Sequence, residues 1–306
     1  MTDSSQADAK DAPWTVLRLL EWTTDFFKRR GSDSPRLDAE ILLAHARDCA
    51  RIELYTAFAE VPAEEQRVAF REMVRRRGEG APVAQLVGFR EFYSLRFRVD
   101  ENVLIPRPET EHLVVEAIDR AKPLGEMKGE GSPLRIADVG TGSGAIAITL
   151  AKHIPDAQIT AIDLSEAALK IAAWNAEHLK VADSISFVHS DLFESLVDPP
   201  TFDIICSNPP YVSESEYDEL PATVRDYEPR EALVAGIDGL DIIKRLLETA
   251  PKRLEAGGRL IIEISPMIAD LCEELVDATE GLCDLRFLKD FAGHRRIVSV
   301  AKNVGV

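Results

Sequence analysis

The apolar positions of the chain change their period three times. From Trp14 to Gly78 they recur at helical spacing. Trp14, Leu17, Leu19 and Leu20 begin one amphipathic pattern, and Leu37-Asp38-Ala39-Glu40-Ile41-Leu42-Leu43-Ala44 carries a second. Ser34-Pro35 ahead of it reads as a cap followed by a first-turn proline. Two more helices are predicted around 50–59 and 63–78, giving a small helical bundle over 13–80. Residues 81–107 then alternate apolar and charged side chains. Gly88-Phe89-Arg90-Glu91-Phe92-Tyr93-Ser94-Leu95-Arg96-Phe97-Arg98-Val99 predicts a two-stranded hairpin. Two prolines in Leu104-Ile105-Pro106-Arg107-Pro108-Glu109-Thr110-Glu111 stiffen the approach to a helix of about 108–121. Helix-start chemistry accounts for Glu109 and Glu111, and a ligand contact by Arg107 or Glu109 is the sharper alternative. Residues 122–133 hold Pro123, Gly125, Gly129, Gly131 and Pro133, which predicts a flexible surface linker.

From Leu134 onward short apolar runs alternate with helical patterns. Strands are predicted at 134–139, 158–163, 184–189, 202–207 and 259–264, followed by a closing pair at 284–289 and 296–301. Helices fall between them: one through Ala151, one capped by Ser165, one at about 238–255 and one at 266–279. A long loop is expected over 211–236. This alternation predicts an α/β fold: a doubly wound, mostly parallel seven-stranded sheet with an antiparallel strand at its end. The predicted layout is a 1–12 tail, a helical domain at 13–80, a hairpin and linker at 81–107, and an α/β domain at 108–306.

Composition narrows the function classes. The 306 residues are 45% hydrophobic, ample for a core, and no apolar run approaches the ~18–20 residues that span a membrane. The segment Met1 to Ala12 is small, polar and acidic, reads as a disordered tail, and lacks the regions of a signal peptide. Cys49, Cys206, Cys272 and Cys283 show no metal spacing, so four buried, reduced thiols in a cytoplasmic protein are expected. The six histidines form no ligand cluster, and no metal is expected. No membrane partner is expected from the apolar pattern, and the formal charge of −17 argues against a large phosphate-binding surface or a stable nucleic-acid partner. Arg67, Arg71, Arg75, Arg76 and Arg77 form one local basic cluster, either a solvated helix face or a docking patch.

Two turns carry candidate chemistry. Gly140-Thr141-Gly142-Ser143-Gly144 follows the first strand of the alternating region, where glycines let the backbone turn sharply and approach a ligand. With Ala145 it also fits the G-x-G-x-x-A of a dinucleotide binder. Asp163, 19 residues after Gly144, ends the second strand, where a carboxylate can accept both ribose hydroxyls of an adenosine. Asp191, beside Leu192 and Phe193, is either a turn residue or an acceptor for an adenine amino group. The fourth strand ends in Ser207-Asn208-Pro209-Pro210-Tyr211. Two prolines make a rigid lip bearing one amide, outward carbonyls and one ring. The Asn208 side-chain carbonyl and the Pro209 backbone carbonyl can each accept one N–H of a planar NH2. They thereby fix that nitrogen for methylation and favour the positive charge that grows on it. Tyr211 can pack on the planar group and shield it from water. Hydride transfer needs a proton donor that this stretch lacks.

On these motifs the chain resembles the class I S-adenosylmethionine-dependent methyltransferases. The Asn-Pro-Pro-Tyr tetrad is shared by the adenine-N6 DNA methyltransferases and the protein-glutamine methyltransferases. The fuller set resembles the PrmC/HemK family: Leu37-Asp38-Ala39-Glu40, Gly88-Phe89-Arg90-Glu91-Phe92, Leu104 to Glu111, Asp138-Val139-Gly140-Thr141-Gly142-Ser143-Gly144, Asn208-Pro209-Pro210-Tyr211 and Tyr227-Glu228-Pro229. That resemblance implies a Rossmann-like methyltransferase domain. It also implies methylation of the glutamine side-chain amide (N5) in the Gly-Gly-Gln motif of bacterial class 1 release factors. S-adenosylmethionine would be the donor and S-adenosylhomocysteine the product. It places the cofactor at Gly140, Thr141, Gly142, Ser143, Gly144, Asp163, Asp191, Leu192 and Asn208. The substrate glutamine falls at Asn208, Pro209, Pro210 and Tyr211, and the release factor on the helical domain. The alternatives are a glutamine methyltransferase of a ribosomal protein and an adenine-N6 nucleic-acid methyltransferase. The latter would call for a basic groove or a target-reading domain.

Overall fold

The computed structural model describes residues 13–129, 131–196 and 201–304. The expected tail at 1–12 lies outside the described residues. The chain divides into two compact units, Met1–Gly88 and Phe89–Val306.

In the first unit the helical periods resolve into α1 (Val16–Arg29), α2 (Pro35–Arg47), α3 (Glu64–Gly78) and the short α4 (Val83–Val87). A 3-10 turn, Arg51–Tyr55, takes the place of the helix expected near 50–59. Leu20, Phe27, Leu42, Leu43, Leu54 and Phe70 make its core. Thr15 caps α1 by accepting from the Arg18 amide. Ser34 stands at the start of α2 but makes no side-chain cap bond; Pro35 there has no N–H to satisfy. The Asp38-Ala39-Glu40 stretch is a structural tie. Asp38 accepts from Ser32 Oγ at 2.8 Å and Arg77 Nε at 2.9 Å, and buried Glu40 accepts from Arg36 and the Tyr55 hydroxyl, each at 2.7 Å. Arg67 pairs with Glu64, and Arg75 with Glu72 and Glu79. Three of the five clustered arginines are therefore committed to carboxylates within their own unit, which favours the solvated face over a docking patch.

The second unit opens with the hairpin β1 (Phe89–Phe92) and β2 (Leu95–Arg98). The backbone N–H of Arg98 donates to Asn175 Oδ1 at 2.8 Å. The main sheet contains β3 (Arg135–Val139), β4 (Gln158–Asp163), β5 (Ile185–His189), β6 (Phe202–Ser207), β7 (Leu254–Glu263), β8 (Leu282–Lys289) and β9 (Arg295–Lys302). Their order is β5-β4-β3-β6-β7-β9-β8. The first five run parallel and β9 is antiparallel to both its neighbours. Apolar layers cover both faces. All six residues of β6 are buried, which is why that strand is continuously apolar apart from its acidic and hydroxyl members. The flanking helices are α5 (Glu111–Lys128), α6 (Ala145–His153), α7 (Glu166–His178), α8 (Glu214–Glu219), α9 (Ala222–Arg225), α10 (Asp241–Arg253) and α11 (Ala269–Asp277).

Three further expectations are corrected. The linker predicted at 122–133 is helical as far as Lys128, through Pro123 and Gly125. Leu124 packs on the core, and Lys128 Nζ reaches Asp203 Oδ2 at 2.6 Å and the Pro133 carbonyl at 3.3 Å, which holds the last turns in place. The loop expected over 211–236 contains α8, α9 and a bridge between Val212 and Val234. Of the four thiols, all free, only Cys206 and Cys272 are buried; Cys283 is exposed because it lies on the outermost strand, β8.

Candidate active site

The sheet fixes where the site forms. β3 and β6 lie side by side at its centre, Val139 opposite Ser207, and the chain leaves them in opposite directions across the sheet. A crevice opens beyond their carboxyl ends. A cavity of about 450 Å³ occupies that position, lined by the turns after β3, β4, β5 and β6 and by part of the segment 102–110.

Its floor is the glycine turn. The amides of Gly140 and Thr141 both donate to the Ile162 carbonyl, at 2.8 and 2.9 Å. Gly140, Gly142 and Gly144 all have positive φ, where a side chain is strained. At Gly142 an added Cβ would meet nothing within 4 Å, so the turn presents bare backbone to the cavity. Gly144 serves another purpose: a Cβ there would come within 2.8 Å of Ile148 and 3.1 Å of Ala172, so it permits close packing of α6 and α7. It does not line the cavity, whereas Gly140, Thr141, Gly142 and Ser143 do. Beneath the turn, fully buried Asp138 accepts from the Thr141 hydroxyl at 2.7 Å and the Ala147 amide at 3.0 Å. Burial pushes its carboxyl up to about 7, with the two hydrogen bonds opposing.

Asp163 accepts from the Gly142 amide and the Ser165 amide, each at 2.8 Å. One carboxylate thus locks the glycine turn to the end of β4 while facing the cavity. Burial raises its pKa, and its backbone hydrogen bonds oppose the rise. Ser165 caps α7 through the Ala168 amide. Asp191 and Leu192 also line the cavity, Leu192 with φ +48°. Asp191 Oδ2 lies 3.0 Å from Arg245 Nη2. Three carboxylates, Asp163, Asp191 and Glu231, line the cavity, and among the described residues lining it there is no Lys, Arg or His.

Asn208, Pro209 and Pro210 form the opposite lip. Asn208 Nδ2 donates to Thr110 Oγ1 at 3.1 Å, leaving Oδ1 as the free end of the amide. Ser207 Oγ donates to the Val139 carbonyl at 2.7 Å, tying β6 to β3 just below. Tyr211 does not line the cavity. Its ring packs against the core and its hydroxyl lies 3.4 Å from Glu263 Oε1, so burial raises its pKa.

The PrmC N-terminal domain family matches residues 18–88, and the methyltransferase small domain family matches residues 124–224. A release factor glutamine methyltransferase of Rhodopirellula baltica is 63% identical over 294 residues, 96% of this chain and 98% of that protein. The chain belongs to the release factor glutamine methyltransferase family. A second member, from Chlorobaculum tepidum, is 40% identical over 91% of this chain and 94% of its own length. The solved hMettl16 catalytic domain, in complex with the MAT2A 3'UTR hairpin 6, shares the fold. Its TM-score is 0.53 at 17% identity, covering 77% of this chain and 83% of that one.

Membership of this family makes the protein a methyltransferase. Two of its motifs are explained by a contact that sequence reasoning missed. Glu228, buried, accepts from Arg107 Nη2 at 2.5 Å and from the Ile105 amide at 3.1 Å. The Tyr-Glu-Pro and Pro-Arg-Pro-Glu-Thr stretches are therefore two halves of one tether. Arg107 is used there and does not line the cavity. Glu263, at the end of β7, was also missed. Its carboxyl is buried against Thr110 and Tyr211, and burial pushes it up to about 7. The sequence signal was a single acidic residue ending an apolar strand. Among the described residues no His/Cys/Asp/Glu group is arranged to hold a metal, and no helix is long and apolar enough to cross a membrane.

Proposed function

We propose that the cavity binds S-adenosylmethionine and that the protein methylates the side-chain amide nitrogen of the glutamine in the Gly-Gly-Gln motif of a class 1 release factor. The reading is carried by one juxtaposition. A cavity edged by carboxylates, with no basic side chain among its described lining residues, faces the free carbonyl end of the Asn208 amide. Such a lining suits a cationic ligand better than the pyrophosphate of a dinucleotide, which supports reading the glycine motif as an S-adenosylmethionine site. S-adenosylmethionine, when bound, supplies an electrophilic methyl group on a sulfonium. The bare backbone of Gly140 to Ser143 and the Asp163 carboxylate would hold it, with Asp191 and Leu192 at its adenine end.

Asn208 Oδ1 and the Pro209 carbonyl accept the two N–H groups of the glutamine amide. Both acceptors are held before substrate arrives, Asn208 by its contact with Thr110 and Pro209 by its own ring and the proline that follows, so little reorganisation is needed during transfer. They favour the charge that develops on nitrogen, and the proton is lost as the new bond forms, so no strong base is required. Pro210 and Tyr211 stiffen the lip. The first unit, which carries the PrmC N-terminal domain match, serves release-factor recognition. No stable nucleic-acid partner is needed.

Incubation of the protein with labelled S-adenosylmethionine and either a release factor or duplex DNA tests this. Mass spectrometry should place one added methyl group on the Gly-Gly-Gln glutamine, and Asn208→Ala should remove it. Label on DNA alone, or full transfer by Asn208→Ala, would overturn the proposal.

A further inference from the structure

A side-chain amide is symmetric in outline, so the lip works only if the carbonyl end of Asn208, not its NH2 end, faces the cavity. Thr110 alone cannot guarantee this. Its hydroxyl accepts from an NH2 or donates to a carbonyl equally well. The tie is broken only by a group that claims the Thr110 proton. Thr110 is buried in the turn Pro108–Thr110, and Glu263 lies against it from the end of β7. Glu263 is 1% exposed, its Oε1 lies 3.4 Å from the Tyr211 hydroxyl, and its Oε2 has no hydrogen-bond partner among the described residues.

We propose that Glu263 is a positioning residue for methyl transfer: acting through Thr110, it sets which end of the Asn208 amide faces the cavity. The proposal rests on Asn208 being the acceptor of the substrate NH2. An ionised Glu263 can only accept, so it draws the Thr110 proton toward itself and leaves the Thr110 lone pair for Asn208 Nδ2. Protonation makes Glu263 a donor to Thr110 or Tyr211. The Thr110 proton is then free to turn to Asn208, which presents its carbonyl to Thr110 and its NH2 to the cavity. Two NH2 groups then face each other, and the substrate is repelled.

The groups facing Glu263 determine when this happens. Thr110 and Glu109 approach from the turn before α5, Tyr211 from the segment after β6 and Arg296 from β9. Burial holds the carboxyl up at about 7 and Glu109 pushes the same way, while Thr110, Arg296 and Tyr211 pull it down. The productive orientation is therefore present above about pH 7 and lost as the pH falls below it.

The test uses the full chain, saturating S-adenosylmethionine and a purified release factor. The parent kcat should fall about tenfold per pH unit on the acid side. Glu263→Gln, which has no proton to gain or lose over this range, should give a flat profile. Thr110→Val should lower kcat by about 10- to 100-fold with the KM for the donor within about twofold, and Thr110→Ser should restore most of it. In the ligand-free protein, the Asn208 side-chain NH2 signal in a nitrogen-15 NMR spectrum should titrate near pH 7 in the parent and not in Glu263→Gln. An acid limb that survives in Glu263→Gln, or parent kcat in Thr110→Val, would overturn the inference. Asn208→Ala in the same series separates the two claims. If it is inactive while the Thr110 and Glu263 variants behave as the parent, only the positioning role fails. If it is fully active, the acceptor reading beneath it fails.

Discussion

Glu228→Ala isolates the tether between the segment after the hairpin and the segment before α10. The carboxylate supplies two bonds, one to a backbone amide and one to a guanidinium. Removing it leaves the buried Ile105 N–H without an acceptor, which costs about 1–3 kcal/mol. Arg107 is about a third exposed and can turn to water, so its lost pairing adds about 1 kcal/mol rather than the larger penalty of a sealed ion pair. The sum is roughly 2–4 kcal/mol. For a unit of this size, roughly 2–4 °C of melting temperature accompanies each kcal/mol, so a fall of roughly 4–16 °C is expected. Glu228→Gln keeps an acceptor for Ile105 and loses only charge, so it should cost about 1 kcal/mol. The functional effect should exceed the thermal one. The tethered segment runs directly into Thr110, and a displacement of even 1 Å there misaligns Asn208, which would lower kcat by about 100-fold. Calorimetric unfolding and methylation kinetics on both variants read these effects. Adding Arg107→Ala to Glu228→Ala should cost almost nothing more. A Glu228→Ala protein melting within a degree of the parent, or an additive double variant, would show that the tether does not hold the segment.

Asp163→Ala should weaken S-adenosylmethionine binding by about 10- to 100-fold in titration calorimetry, because it removes a cavity-lining carboxylate and frees the Gly142 amide. Release-factor affinity should stay within about twofold of the parent. Gly239→Ala should lower kcat and melting temperature together. The residue has φ +73°, which costs a side chain about 1–2 kcal/mol, and its Cβ would lie 2.4 Å from the Tyr211 carbonyl, a backbone atom that cannot move without shifting the lip.

How much of this was legible in the sequence follows from the distance between partners. The strands predicted at 158–163 and 202–207 match β4 and β6 to the residue because their apolar members are buried and few polar residues interrupt them. The glycine turn and the Asn-Pro-Pro-Tyr lip were legible because their chemistry is local. The last turns of α5 were not, since Pro123 and Gly125 speak locally for a break. What overrides them is Lys128 meeting Asp203, 75 residues away. Glu228 and Glu263 were missed for the same reason. Glu228 meets Ile105 across 123 positions and Glu263 meets Tyr211 across 52, and no periodicity records such pairs. Asp163 was seen as a ligand residue, but its grip on Gly142 and Ser165 appears only once strand and turn lie side by side.

These long-range carboxylates solve a problem that the sheet creates. The lip and the glycine turn are rigidly related, because β3 and β6 are hydrogen-bonded neighbours and an added Cβ on Gly140 would sit 4.0 Å from the Asn208 carbonyl. Strand pairing can therefore fix where Asn208 stands. It cannot fix how the terminal amide is turned, because rotation by half a turn leaves the backbone unchanged. That last degree of freedom is set from outside the β3–β6 pair. The tether at Glu228 steadies the segment leading to Thr110, Thr110 meets the amide, and Glu263 on the next strand biases the hydroxyl between them. A donor site built on bare backbone needs no such help. An acceptor built on a reversible side chain does, and the Leu104–Glu111 segment supplies it at the same cavity.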